Sequence, residues 1–276
     1  MPTNALIRTA VVATAVALSL AACSSGEPEA GSGTSPATGG GDDSLQQVLD
    51  SGTLTVGTEG TYRPFSFHEG GSGDLTGFDV EVARAVGEEM GVEVEFEETQ
   101  WDAIFAGLEA GRFDVIANQV SITPEREESY TFSTPYTVST GVIVVPEGET
   151  GITSFEDLAG KRTAQSLTSN WHTLAEESGA TIEAVEGWAQ AAALVQQGRV
   201  DATINDKLTF LDAQQEGGAE GLAIAVETEE SSQSAFALPK GADALKERID
   251  EALATLTEDG TLAEISEKYF GEDVTR

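Results

Sequence analysis

The sequence predicts an α/β protein of two lobes, with mainly parallel sheets and a ligand cleft between them. Three observations carry this. Short β-branched apolar runs alternate with stretches of helical spacing. The alternation restarts near residue 141, giving two halves of similar plan with no tandem repeat of the array-forming kind. A chain of 276 residues that is 39% apolar also has material for two cores.

In the first half, residues 54–58 (LTVGT) form a strand that runs into a turn. Gly77 opens a helix over 77–86 with Phe78, Val82 and Val86 on one side. Residues 92–96 alternate as a strand, 101–110 have helical spacing at Ile104, Phe105 and Leu108, and 114–117 form a short apolar strand. In the second half, 141–145 is a strand and 155–158 a short helix before Gly160. Residues 161–166 lead into Thr168-Ser169-Asn170, which caps a helix over 171–177. A strand at 182–185, a helix at 189–197 and a strand at 201–205 follow, the last entering a helix through Leu208 and Leu211. Residues 235–238 return as a strand, and helices at 243–257 and 262–270 end the chain. A cleft between two such lobes is a common seat for a small ligand.

The first 43 residues stand apart from this pattern. Arg8 precedes an apolar run over 10–22 that is too short and too rich in alanine for a membrane span, as in a secretory signal. The run ends in Leu20-Ala21-Ala22-Cys23, which resembles the bacterial lipobox, so cleavage after residue 22 and lipid on Cys23 are expected. Residues 24–43 contain six Gly, two Pro and no large apolar side chain, the composition of a flexible tether. The product is expected on the outer face of the cell membrane, held by its lipid.

Charge and cysteine content exclude several classes. Fourteen Lys and Arg against 48 Asp and Glu give a net charge of −34, so no nucleic-acid partner is expected. The single cysteine rules out an intrachain disulfide and a Cys-rich metal site, and His68 and His172 are too few for a zinc centre. No metal or other cofactor is expected.

Several residues have chemistry suited to the cleft. Glu59, Tyr62 and Phe65 follow the first strand; a carboxylate among aromatics suits an ammonium ligand, and core aromatics in a plain turn fit the same residues. Trp101 suits either a cleft wall or the core. Asn118, Gln119 and Ser121 are polar beyond what a buried strand needs. Thr123-Pro124 starts a helix, and Arg126 behind it offers the planar fork that grips a carboxylate, although acids nearby offer it a surface pair. Thr168, Ser169 and Asn170 bring hydroxyls, an amide and free N–H groups to a helix N-terminus, an arrangement that receives an anion. Asp206 can accept from an ammonium group or cap the next helix. Together these groups offer opposite handles for a zwitterion, one set per lobe, so that ligand favours closure.

The stretches VGTEGTYRPF (56–65), GFDVE (77–81), SITPER (121–126) and FSTPY (132–136) resemble the family 3 extracellular solute-binding proteins, polar amino-acid receptors of ABC importers. Gly160-Lys161-Arg162, DGTL (259–262) and KYFG (268–271) extend the resemblance over 44–276. It implies the type II periplasmic-binding-protein fold, with lobe I at 44–137 plus 236–276, lobe II at 141–231, and hinge crossings at 137–140 and 232–235. It implies that Arg126 binds the ligand α-carboxylate with help from Ser169 and Asn170, that Asp206 binds the α-amine, and that Glu59, Tyr62, Trp101, Asn118, Gln119 and Ser121 meet the ligand. The family's usual glycine-threonine-threonine is replaced here by Thr168-Ser169-Asn170. AQSLTSNW (164–171), GTEGTY (57–62), Asn118-Gln119 and QGRVDATIND (197–206) are similar to the cystine branch, which favours L-cystine, with extra polar positions left for its second end. Glutamine or glutamate as ligand, or a sensing module for a signalling partner, remain alternative readings. The resemblance also implies docking of a monomer on a membrane permease with a cytoplasmic ATPase. No enzymatic step is expected, because no nucleophile–His–acid arrangement is evident.

Overall fold

The computed structural model describes residues 42–276; the expected signal segment, Cys23 and the tether through residue 41 lie outside the described residues. The chain begins with α1 (Ser44–Ser51) and β1 (Thr53–Thr58), followed by three short strands, β2 (Thr61–Tyr62), β3 (Ser66–His68) and β4 (Leu75–Thr76). Then come α2 (Phe78–Met90), β5 (Glu93–Glu98), α3 (Trp101–Glu109), β6 (Val115–Ser121), α4 (Pro124–Ser129) and β7 (Tyr130–Phe132). The second lobe opens with β8 (Thr137–Pro146) and continues through β9 (Arg162–Gln165), α5 (Asn170–Glu177), β10 (Thr181–Ala184), α6 (Trp188–Gln196), β11 (Ala202–Asp206) and α7 (Lys207–Gln215). β12 (Leu222–Pro239) returns the chain to α8 (Asp243–Glu258) and α9 (Thr261–Phe270).

The strands form one sheet in the order β10-β9-β11-β8-β12-β6-β1-β5, with β7 on β12, and β2–β4 form a small antiparallel sheet. Its two ends are parallel: β1 lies parallel to β5 and β6, and β9 parallel to β10 and β11. Its centre is antiparallel, through β8 on β11 and β12 on β6, β7 and β8. The mixed centre has a simple cause. β8 carries the chain out of the first lobe and β12 brings it back, so the two run in opposite directions. They pair from Thr137↔Ser234 to Thr140↔Ser231, with a register shift before Glu227↔Val142.

Each lobe has its own apolar packing. On one side Phe65, Phe78, Tyr136 and Phe236 are fully buried, with Leu54, Val56 and the inner faces of α2, α8 and α9 around them. On the other, Val142, Val144, Ala164 and Val195 pack with Phe210, and Ile143, Leu158 and Ile204 form a second cluster across the sheet. Leu208 of α7 reaches into the first lobe's cluster. Gly77 has φ 129°, and a Cβ there would collide with the Phe65 carbonyl, so only glycine allows the first turn to close on the start of α2.

Three features differ from expectation. α1 and the β2–β4 sheet were unassigned by pattern, because their apolar residues are too few to show a period. β12 has 18 residues, whereas the sequence marks only 235–238 as strand. Its middle, ETEESSQS over 227–234, is polar throughout; the ladder to β8 holds it extended, and no hydrophobic alternation does so.

Candidate functional site

A cavity of about 470 Å³ lies between the lobes. The C-terminal ends of parallel strands open onto it from both sides, the usual seat of ligands in such sheets. Glu59 follows β1, Glu98 ends β5, Gln165 ends β9 and Glu186 follows β10; all four line the cavity.

Of the residues the sequence singled out, Glu59, Tyr62, Trp101, Asn118, Gln119, Ser169 and Asn170 line this cavity. Asn118 organises the turn around Glu59. Its Oδ1 accepts from the Glu59 backbone N–H (2.8 Å) and the Thr58 hydroxyl (3.0 Å), and its Nδ2 donates to Glu59 Oε2 (2.7 Å). Burial pushes the Glu59 carboxyl up to about 7; the Asn118 bond opposes this, and the charges of Asp102 and Glu186 add to it. No basic side chain lies within salt-bridge distance of Glu59, and no Lys, Arg or His lines the cavity among the described residues.

Gln119 sits at φ 51°, a region a non-glycine residue enters only when its surroundings hold it there. The buried Asp79 carboxylate accepts from the Gln119 backbone N–H (2.7 Å) and from its Nε2 (2.6 Å), and Nε2 also donates to the Thr137 hydroxyl (3.1 Å). Gln119 Oε1 is left without a partner, as are Trp101 Nε1 and Gln165 Nε2. All three residues line the cavity, with these three atoms themselves enclosed by protein.

The remaining five are near the cleft or in the core and do not line the cavity. Phe65 corrects an expectation. It is fully buried in the first lobe's core, with its ring 5.0 Å from Tyr62 and 5.9 Å from Phe270. Asp206 caps α7 by accepting from Leu208 N–H (2.8 Å), and it also accepts from the Ser139 hydroxyl (2.7 Å); burial pushes its carboxyl up to about 6. Thr168 gives both its N–H (3.1 Å) and its hydroxyl (2.9 Å) to Asp102. The Ser121 hydroxyl faces Asn170 Oδ1 at 3.4 Å. Ser169 caps α5 by accepting from His172 N–H (3.0 Å), which satisfies one of the first N–H groups of the helix.

Arg126 is the notable cation. Nη1 donates to the Ser121 carbonyl (2.9 Å) and Nη2 to the Thr168 carbonyl (3.2 Å), and the guanidinium stands 5.5 Å and 5.3 Å from the Trp101 and Phe105 rings. Among the described residues no carboxylate pairs with it, and burial lowers it to about 10. The surface pair the sequence allowed does not form.

Several bonds tie the lobes together. The Thr209 hydroxyl donates to Tyr62 Oη (3.1 Å), which donates to Asn205 Oδ1 (3.3 Å). Arg63 lies 3.5 Å from both Asp212 and Glu216. With the Asp102–Thr168 and Arg126–Thr168 contacts on the other flank, the cleft is closed. Gly141 lets the Trp171 ring lie against β8 at the cavity edge, where a Cβ would collide with it.

Sequence reasoning missed Glu98, Gln165, Glu186, Trp188 and Asn205, all cavity-lining. The rule that ligands sit at the carboxyl ends of parallel strands would have pointed to the first three. Trp188 required knowing which way α6 faces.

The sequence profile of bacterial extracellular solute-binding proteins, family 3, matches residues 54–272. The chain belongs to that family. Three of its relatives are informative. The L-cystine-binding protein TcyA of Bacillus subtilis is 48% identical over 229 residues, 83% of this chain and 85% of that protein. The L-cystine solute receptor of Neisseria gonorrhoeae, solved in the unliganded open conformation, is 44% identical, with a TM-score of 0.57 over 84% of this chain and 98% of its own. An ancestral arginine-binding protein bound to arginine is 37% identical, with a TM-score of 0.74 over 80% of this chain and 99% of its own. The lower score against the more similar but open receptor accords with the closed cleft here. As a family 3 member the protein is an extracytoplasmic solute-binding protein of two-lobe fold. Among the described residues no cluster of His, Cys, Asp and Glu is arranged to hold a metal ion.

Proposed function

We propose that this protein is the receptor of an ABC importer for a polar amino acid, and that its ligand is L-cystine. The observation that carries the receptor reading is a pair of opposite, uncompensated charges at one interlobe cleft. Among the described residues Arg126 has no carboxylate partner and Glu59 no basic one. Burying either alone is costly, and a ligand with a carboxylate for Arg126 and a further cationic group for Glu59 relieves both. On this reading Arg126 exchanges its two backbone carbonyls for the ligand α-carboxylate, helped by Ser121, Thr168, Ser169 and Asn170. Asp206 takes the α-amine, and Glu59, Tyr62, Trp101, Asn118 and Gln119 face the rest of the ligand.

Kinship with TcyA and the gonococcal receptor supports cystine. A second reading, arginine, is favoured by the acid-only lining from Glu59, Glu98 and Glu186 and by the ancestral arginine-binding relative. The same lining disfavours glutamate. The lobes are 44–137 with 236–276 and 141–231, and closure turns on the paired β8 and β12 segments, at 137–140 and 232–235. Cys23 carries lipid that holds a monomeric receptor outside the membrane beside its permease, with an ATPase on the inner side.

Isothermal titration of the detergent-purified protein, cleared of bound ligand, against L-cystine, L-arginine, L-glutamine and L-glutamate tests this. Cystine is expected to bind one-to-one and at least about tenfold more tightly than the others, a margin of about 1.4 kcal/mol. Preference for arginine overturns the cystine assignment, and no binding by any of the four overturns the receptor assignment.

A further inference from the structure

We infer that His68, which stands outside the cavity, sets the charge at its rim and thereby the preference between zwitterionic and net-cationic amino acids. Holding a proton, His68 compensates Glu98; without it, Glu98 adds one uncompensated negative charge to the lining. This rests on the receptor reading above and deepens it.

The imidazole is held from both sides. Nδ1 lies 2.7 Å from the Gly73 carbonyl oxygen, which can only accept, so Nδ1 carries a hydrogen. Nε2 lies 3.1 Å and 3.0 Å from the two carboxylate oxygens of Glu98. A neutral ring with its hydrogen on Nδ1 would turn the Nε2 lone pair onto that carboxylate. The geometry therefore calls for a second proton between Nε2 and Glu98, and with it the pair has no net charge. Glu98 ends β5 and lines the cavity. Its carboxylate packs on Gly60, where a Cβ would collide with it, and Gly60 stands between the cavity-lining residues Glu59 and Thr61. His68 ends β3, is partly exposed and does not line the cavity, so solvent reaches its ring. The Glu98 contact and then the Gly73 bond raise the imidazole above its ordinary value, and the charge of Asp74, before β4, acts in the same sense. The proton is thus held on the acid side of that raised value and lost on the alkaline side. Of the three acids in the lining, Glu59, Glu98 and Glu186, only Glu98 has a basic partner among the described residues. One more negative charge at the rim favours a ligand with net positive charge, whereas the opposite charges of a zwitterion respond oppositely and largely cancel.

The test reads affinity ratios at pH 6 by titration of the detergent-purified protein. The ligands are L-cystine, net neutral, and two net cations, L-arginine and the mixed disulfide of L-cysteine with 2-aminoethanethiol; a cation too weak to titrate directly is measured by competition with cystine. His68→Gln keeps a hydrogen-bond donor and drops the charge. It is expected to shift preference about threefold toward both cations. His68→Arg keeps the charge and is expected to hold the original ratio within about 1.5-fold. In the ligand-free protein, NMR titration of the His68 ring is expected to show a midpoint above the ordinary histidine value of about 6.5 that falls in Glu98→Gln. A ratio changed less than about twofold by His68→Gln overturns the role of His68. So do equal shifts in the Gln and Arg variants, which mark a structural role only, or a His68 midpoint that Glu98→Gln leaves in place. Each of these leaves the receptor reading intact, and absence of binding by all three ligands overturns both.

Discussion

Asp79 holds Gln119 by two hydrogen bonds, one to the backbone N–H at 2.7 Å and one to Nε2 at 2.6 Å, and so fixes a non-glycine residue at φ 51° in the wall of the cavity. Asp79→Ala leaves the Gln119 backbone N–H unsatisfied, at about 1–3 kcal/mol, and Nε2 with only the Thr137 hydroxyl. The expected result is a loss of about 2–5 kcal/mol in unfolding free energy by denaturant titration. A loss below about 0.5 kcal/mol would show that Gln119 does not depend on this carboxylate.

Arg126→Ala is expected to abolish measurable ligand binding in a variant that still folds, because among the described residues no other cation stands over Trp101 and none lines the cavity. Arg126→Lys is expected to recover little, since one ammonium cannot replace a two-pronged guanidinium. Affinity within threefold of the original in either variant would remove Arg126 from the site.

Ligand affinity and empty-state stability should respond oppositely to pH. An ammonium ligand prefers ionised Glu59, whose carboxyl is raised by burial to about 7 in the empty site. Affinity should therefore be full above pH 7 and fall by up to about tenfold per unit below it, with proton release on binding. Glu59→Gln should flatten that profile.

For the empty protein the sign reverses. Glu59, Asp79 and Asp206 have folded-state values raised to about 7, 7 and 6. The folded protein thus holds more protons than the unfolded chain between about pH 4 and 7. Stability should rise as pH falls through that window. A ligand-free Tm lower at pH 5.5 than at pH 7.5 would contradict this.

Tyr62→Phe removes the hydroxyl that links the turn after β1 to Asn205 and Thr209 across the cleft. A neutral hydrogen bond contributes about 1 kcal/mol, so about a fivefold rise in Kd is expected. Small-angle scattering of the empty variant should show a larger radius of gyration. Unchanged scattering and affinity would mean that other contacts hold the lobes together.

Cys23→Ala should shift the protein from the membrane fraction to the medium or buffer, because the proposed acyl attachment is lost. Retention that still requires detergent for release would refute the anchor.

How far the sequence reaches depends on whether a signal is local. Helices such as α2 and α3 were legible because their buried side chains recur at helical spacing, with Phe78, Val82 and Val86 on the core face and Ile104 and Leu108 likewise. Phe65 was ambiguous for the converse reason. An aromatic in a turn faces core or cleft according to what packs on it, and Phe270, some 200 residues away, decides for the core. The polar half of β12 was illegible because its extended state comes from pairing with β8.

The sequence by itself determined the alternation of strands and helices, the two-lobe plan, the excess of acid and the family to which the motifs belong. Each of these lies in short runs of residues or in composition. The tertiary structure alone decided that Thr168 binds Asp102 across the cleft, that Ser169 and Asp206 cap helices, that Arg126 has no acidic partner, and that Glu186 and Gln165 share a cavity with Glu59. The physical reason is that a side chain's partner, and its exposure to solvent or ligand, depend on distances between residues far apart in the chain, and only folding sets those distances.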